Sequence, residues 1–239
     1  MKIIFNADDY GLCQAVNQGI IASHLNGVVT STTMMVGMPG EQDALERLLL
    51  APSLSVGVHL RLTAGKPLSS DFPIVNSEGR FPKYDALMAQ LESVHEASIY
   101  EEFHAQIEHF LSFGIPLSHL DSHHHVHLHP IVTKVVARLS HEFDVPYRAT
   151  PTLAGYQFSD GFYDDNISLE WLKSQLSSWS ERYDVVEVMC HPAIVDEGLS
   201  SMSSYVDKRE QELGVLSSQE LKQYIQEHQI ELTRYSAVI

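Results

Sequence analysis

The sequence predicts an α/β protein in which about seven parallel strands, with helices between them, close into a (β/α) barrel. Three observations carry this. Short apolar, often β-branched runs alternate with segments of helical period along the 239 residues, the pattern of β/α units. Chemistry-bearing residues stand at the ends of several runs (Asp8 and Asp9, His59, Asp121 and His123, Arg148, His191). Groups spread in this way meet only if the strands form a ring, whereas an open sheet gathers them at one switch point. Finally, no G-x-G-x-x-G or G-x-x-x-x-G-K-[ST] loop follows the first run, so a nucleotide-binding open sheet loses its main support.

Each element follows from local sequence. Lys2 to Asn6 is a short buried strand. Ala15 to Asn26 places Val16, Ile20, Ile21 and Leu25 on one helical face before Gly27, a C-terminal stop. Val28 to Val36 is a β-branched second strand, followed by a helix from Glu41 to Leu50 that Pro52 cannot continue. Leu54 to Leu60 is the third strand. Gly65, Pro67, Pro73, Gly79 and Pro82 then punctuate Arg61 to Pro82 as a long loop, functional or mobile. Helices are expected over Tyr84 to Glu92 and Ser98 to Phe113, the latter ending before Gly114. Leu117 to Leu120 is the fourth strand, and Pro130 marks the start of a helix running through Ile131 to Phe143. Val145 to Ala149 is the fifth strand. A second loop, Thr150 to Asn166, contains Pro151, Gly155 and Gly161 and a weak strand pattern near Phe158. After a helix over Leu169 to Ser180 come the strand Val185 to Cys190, helices over Ser204 to Gly214 and Ser217 to Gln229, and a closing strand, Ile230 to Tyr235. No linker or charge block divides the chain, so one domain is expected over 1–239.

The charge balance narrows the partners. Fifteen basic against thirty-one acidic residues leave a formal charge of −16, which repels nucleic acid and anionic membrane surfaces. Only three bulky apolar residues precede the first carboxylates, too few for a signal-peptide core or a membrane span, and a cytoplasmic protein is expected. Cys13 and Cys190 are two small thiols without zinc-finger spacing.

The densest signal is His119 to Pro130, H-L-D-S-H-H-H-V-H-L-H-P, with six of the fourteen histidines and one aspartate in twelve residues. Imidazole and carboxylate bind borderline divalent ions, so the run reads as the centre of a metal site at a strand-to-helix turn. In extended chain His123, His125, His127 and His129 would share one face and His124 the other, so two or three at most converge on one ion. The rest are left as supporting partners, substrate contacts or exposed side chains. Asp121 is placed to hold a histidine ring through its second nitrogen. Asp8 and Asp9 point opposite ways in extended chain, which allows one to bind an ion while the other accepts a proton from water. His59 ends an apolar strand, and His191 ends another, fixed by Pro192.

N-A-D-D-Y-G at 6–11, V-T-S-T-T at 29–33, G-V-H-L at 57–60, H-L-D-S-H-H-H-V-H at 119–127, C-H-P at 190–192 and S-Y-x-x-x-R-E-x-E-L at 204–213 together resemble the YdjC/ChbG family of carbohydrate deacetylases, in order along the chain. Tyr10 stands where phenylalanine is usual, and Ala193 where glycine often follows C-H-P. The resemblance implies an irregular (β/α) barrel related to that of polysaccharide deacetylases, one divalent metal recorded as magnesium, a homodimer, and removal of acetyl groups from N-acetylated sugars such as chitooligosaccharides. Matched by position, the implied metal ligands are Asp9, His59 and His123, and the catalytic carboxylate is Asp8. Ligand chemistry points elsewhere for the metal: two imidazoles and a carboxylate suit zinc or another transition ion better than magnesium. In the expected reaction Asp8 takes a proton from the attacking water and His191 gives one to the leaving amine. Arg148 is expected to pair with Asp8 and, with His127, to contact the acetylated oligosaccharide. A phosphoesterase would show a second metal or a cationic clamp, and a sugar-binding protein has no need of paired carboxylates beside strand-end histidines.

Overall fold

The computed structural model describes residues 1–149 and 154–237. In chain order its elements are β1 (Lys2–Tyr10), α1 (Gln14–Leu25), β2 (Ser31–Met34), α2 (Glu41–Leu48), β3 (Ser55–Leu60), α3 (Tyr84–Met88), α4 (Glu96–Leu111), β4 (Leu120–Ser122), α5 (Pro130–Glu142), β5 (Tyr156–Ser159), α6 (Leu169–Ser180), β6 (Val185–Cys190), α7 (Glu197–Met202), α8 (Asp207–Leu216), α9 (Gln219–Glu227) and β7 (Glu231–Leu232). The strands form one parallel sheet in the order β4-β3-β2-β1-β6-β5, and β7 lies against β1.

This sheet is strongly curled. In a flat sheet β4 and β6 would be four strand spacings, about 19 Å, apart. Yet Arg148, whose segment bridges onto β4, donates to Glu187 of β6 at 2.8 Å. The strands alternate accordingly. Ile3, Phe5 and Ala7 of β1 join the large apolar cluster beneath the helices, whereas Ile4 packs inside with Val185 and Tyr235, and Asn6 and Asp8 continue the same inner row. The barrel interior is therefore apolar at the amino ends of its strands and polar at their carboxyl ends.

Several expected boundaries move, each for a local reason. β1 does not stop at Asn6. It runs through Tyr10 across a register shift between Ala7 and Tyr10, with Asp9 at φ 70, a bulge of the kind that re-aims side chains. β4 is displaced to Leu120–Ser122. The expected fifth strand reduces to one bridge, Leu120 to Tyr147. Pro146 has no amide proton for a ladder, and Asp144 and Ala149 take left-handed φ on either side. The weak pattern near Phe158 is the true edge strand, β5. The second expected loop holds that strand, and its first residues, 150–153, lie outside the described residues. The histidine run is not extended: His123–Leu128 is 3-10 turn with His124 and His125 at φ 56 and 52, so alternating faces do not apply. α7 went unread because Gly198, Ser200 and Ser201 are poor helix formers; the Asp196 carboxylate caps it by accepting from the Leu199 amide at 2.7 Å. Pro130 does occupy the first turn of α5. None of the described helices is long and apolar enough to cross a membrane.

Candidate active site and metal centre

The carboxyl ends of β1, β3 and β4 bring Asp9, His59 and His123 together, one donor atom from each lying within 4.8 Å of the others. Asp9 Oδ1 is 3.0 Å from His123 Nδ1 and 3.3 Å from His59 Nε2. The other nitrogen of His59 bonds Asp121 Oδ1 at 2.7 Å, and the Thr33 hydroxyl donates to Asp121 Oδ2 at 2.9 Å. A carboxylate on Nδ1 leaves Nε2 as the free donor atom, the arrangement that supports ligating histidines.

Asp8 lies beside this set in a different environment. Arg148 grips it through two bonds of 2.6 Å, Nη1 to Oδ2 and Nη2 to Oδ1, and Asn6 donates to Oδ1 at 2.9 Å. Arg148 also reaches Asp121 at 3.0 Å and Glu187 at 2.8 Å. Glu187 accepts from the hydroxyls of Tyr156 and Tyr235 as well. Burial pushes the Asp8 carboxyl up, but the Arg148 guanidinium outweighs it and holds the group ionised, below the usual carboxylate range. Asp9 is likewise raised by burial and drawn well below its ordinary value by Arg209 and then His123. His59 is pulled down by burial, yet Asp121 lifts it to about 10.

The donor set fits a divalent ion. Asp8, Asp9, Asp121 and Glu187 are buried carboxylates in a network whose buried cations are Arg148, Arg209 and the His59 imidazolium, which still leaves an excess of negative charge for a cation to neutralise. A second grouping, Asp8, His59 and Asp121, is already occupied by the Arg148 guanidinium, so of the two groups Asp9, His59 and His123 is the one open to an ion.

Asp8, Asp9, His59, His123 and His191 all line one groove of about 1350 Å³. His191 sits against Tyr163 and Tyr205, each ring 5.7 Å away and edge-on, and these two tyrosines stack at 4.3 Å. Two residues expected at the substrate lie away from the groove surface. Arg148 is fully buried and spent on carboxylates, and His127 is fully buried with its Nδ1 against the Ser122 hydroxyl at 2.6 Å. Neither is among the groove's lining residues. His125 borders the groove but lies outside the ion-binding group, and His119 is a core residue stacked on Tyr235 at 3.7 Å.

Two site residues were missed. Arg209 donates to Asp9 Oδ2 at 2.6 Å, leaving Oδ1 for the histidines. Glu212 accepts from the His191 amide and from the Tyr205 hydroxyl, and its Oε1 lies 3.8 Å from His191 Nδ1. Both belong to the S-Y-x-x-x-R-E-x-E-L segment at 204–213. The signal was there: two charged residues three apart share a helix face, and here that face is buried.

The YdjC-like protein family matches residues 2–227. A carbohydrate deacetylase of Vibrio parahaemolyticus serotype O3:K6 is 50% identical over 244 residues, covering 100% of this chain and 97% of that protein. One from Brevibacillus brevis is 40% identical, covering 99% of each. Among solved structures, an Enterococcus faecalis V583 protein, described in connection with cellobiose-phosphate cleavage, superposes with a TM-score of 0.91 at 33% identity, covering 99% of this chain and 98% of that one. A family 4 carbohydrate esterase from Streptomyces lividans shares the fold at a TM-score of 0.53 and 11% identity, covering 98% and 92%. The chain belongs to the YdjC-like protein family.

Proposed function

We propose that this chain is a metal-dependent carbohydrate deacetylase that removes acetyl groups from N-acetylated, chitooligosaccharide-type sugars and releases acetate. The observation that carries the reading is the division of labour between adjacent carboxylates. Asp9 faces two histidine nitrogens, while Asp8 is kept ionised by Arg148 and remains outside the ion-binding group on the groove wall. The relatives named carbohydrate deacetylase support the substrate class.

Asp9, His59 and His123 would hold the ion. A divalent metal there supplies Lewis acidity and a more acidic water. Asp8 accepts the proton of the attacking water, a role that needs its carboxylate charged and aimed, which Arg148 and Asn6 secure. His191, across the groove, gives a proton to the departing sugar amine, with Glu212 behind it. The two imidazoles favour zinc, cobalt, iron or manganese over the magnesium that the family resemblance implies. A homodimer, a cytoplasmic location and a single domain over 1–239 belong to the same proposal.

The test is acetate release across N-acetylated and O-acetylated saccharides, with and without chelator, and metal analysis of protein purified without added ions. Chelator-sensitive release from N-acetylated sugars is expected. Full activity in metal-free protein would overturn the metal assignment, and no acetate from any saccharide would overturn the deacetylase reading.

A further inference from the structure

The segment between β3 and α3 is ordered by its own packing and by two side chains of α4. Phe72 and Phe81 meet edge-on at 5.3 Å, Ile74 is buried, and the Phe81 amide donates to the Gly65 carbonyl at 3.0 Å. Arg61 spends its guanidinium on the carbonyls of Val36, Ala64 and Lys66 at 3.0, 2.7 and 2.7 Å. The stretch between Gly65 and Phe81 is thus a self-packed loop with close ends.

Its seat is Glu102. This carboxylate is fully buried and makes no ion pair shorter than 4 Å among the described residues. It accepts instead from the Leu68 amide at 3.0 and 3.1 Å, the Ser69 amide at 2.8 Å, the Ser69 hydroxyl at 2.6 Å and the Gln106 side-chain amide at 2.7 Å. Gln106, one turn on, brackets Arg61, accepting from its amide at 3.0 Å and donating to its carbonyl at 2.9 Å. A buried carboxylate is tolerated only if its lone pairs are filled. Because two of its partners are backbone amides of the loop, it is satisfied in one loop conformation.

The loop's inner edge, with Thr63, Ala64, Gly65, Glu78, Arg80 and Lys83, forms a wall of the groove, which is far larger than an acetyl group. Glu102 does not line the groove. We propose, on the basis of the deacetylase reading, that Glu102 is a positioning residue for substrate length: by seating Leu68 and Ser69 it sets the wall against which sugar units beyond the acetylated one lie.

The experiment compares wild type, Glu102→Gln and Ser69→Ala on N-acetylated chitotetraose and on the shortest saccharide the wild type accepts, with hydrogen exchange of residues 62–83 and ion affinity alongside. In Glu102→Gln the amide group turns donors toward donors, so the tetramer's KM rises about tenfold while kcat and ion affinity stay within about twofold, and loop amides exchange faster. Ser69→Ala, which loses one of these bonds and keeps the carboxylate, moves KM the same way by less and covers the case in which Glu102→Gln does not fold. An unmoved tetramer KM, or equal losses on long and short substrates, overturns this inference while the wild type's acetate release leaves the function standing. No acetate from the wild type on any saccharide overturns both.

Discussion

His59 Nδ1 donates to Asp121 at 2.7 Å while its Nε2 stands 3.3 Å from Asp9. Asp121 thereby decides which nitrogen of His59 is left for an ion. Partners of this kind are worth roughly 10- to 100-fold in metal affinity. Asp121→Asn replaces the acceptor with a weaker one and brings an NH₂ group toward Arg148 or His59. Ion affinity measured by competition with a chromophoric chelator is expected to fall by that factor, and wild-type affinity would show that Asp121 does not orient the ring.

Arg148 is the only cation in contact with Asp8, Asp121 and Glu187 together among the described residues, and all four groups are buried. Removing one partner from a buried pair leaves charge without compensation and costs about 3 to 5 kcal/mol. Arg148→Met is expected to lose stability of that order in urea unfolding and to lose activity, because Asp8 is no longer held ionised. Stability within about 1 kcal/mol of wild type would mean that the carboxylates find other partners.

The carboxyl-end chemistry was legible because strand ends are the places where a barrel collects function, so Asp8, Asp9, His59, His123 and His191 could be picked out and the groove does gather them. What stayed hidden was tertiary. Asp8-Asp9-Tyr10-Gly11 reads as a turn, because the left-handed backbone of Asp9 looks the same in sequence whether a strand ends or bulges. Arg209 and Glu212 sit in a charged helix that resembles a solvated face. Only the fold, which brings Arg209 to a residue 200 positions earlier, reveals that face as buried. Arg148 and His127, expected at the substrate, are enclosed, because composition cannot say on which side of a strand end a side chain is buried.

His191 borders the groove outside the ion-binding group, so proton donation can be separated from metal binding. His191→Asn is expected to lower kcat by roughly 10² to 10⁴ with ion affinity unchanged. Glu212→Gln disturbs the partner of the His191 amide and of Tyr205, and its loss in kcat should be smaller. A His191→Asn enzyme with wild-type kcat would remove the residue from the reaction.

His119 is expected to make stability pH-dependent. Its Nε2 faces Asn6 Oδ1 at 3.1 Å, its Nδ1 meets the Ser118 hydroxyl at 2.7 Å, and its ring stacks on Tyr235, an environment built for neutral imidazole. Burial drags it down to about 3 from the ordinary 6.5. Between those values the unfolded chain binds the extra proton and the folded one does not, so the fold loses stability as pH falls below about 6.5. At pH 5 the linkage amounts to about 2 kcal/mol relative to pH 8. His119→Gln removes that dependence while losing the stacking. The variant is therefore expected to be less stable than wild type at pH 8, with the gap narrowing by about 2 kcal/mol at pH 5 in denaturant titrations. A gap that stays constant between the two pH values would mean that His119 carries a proton in the folded protein.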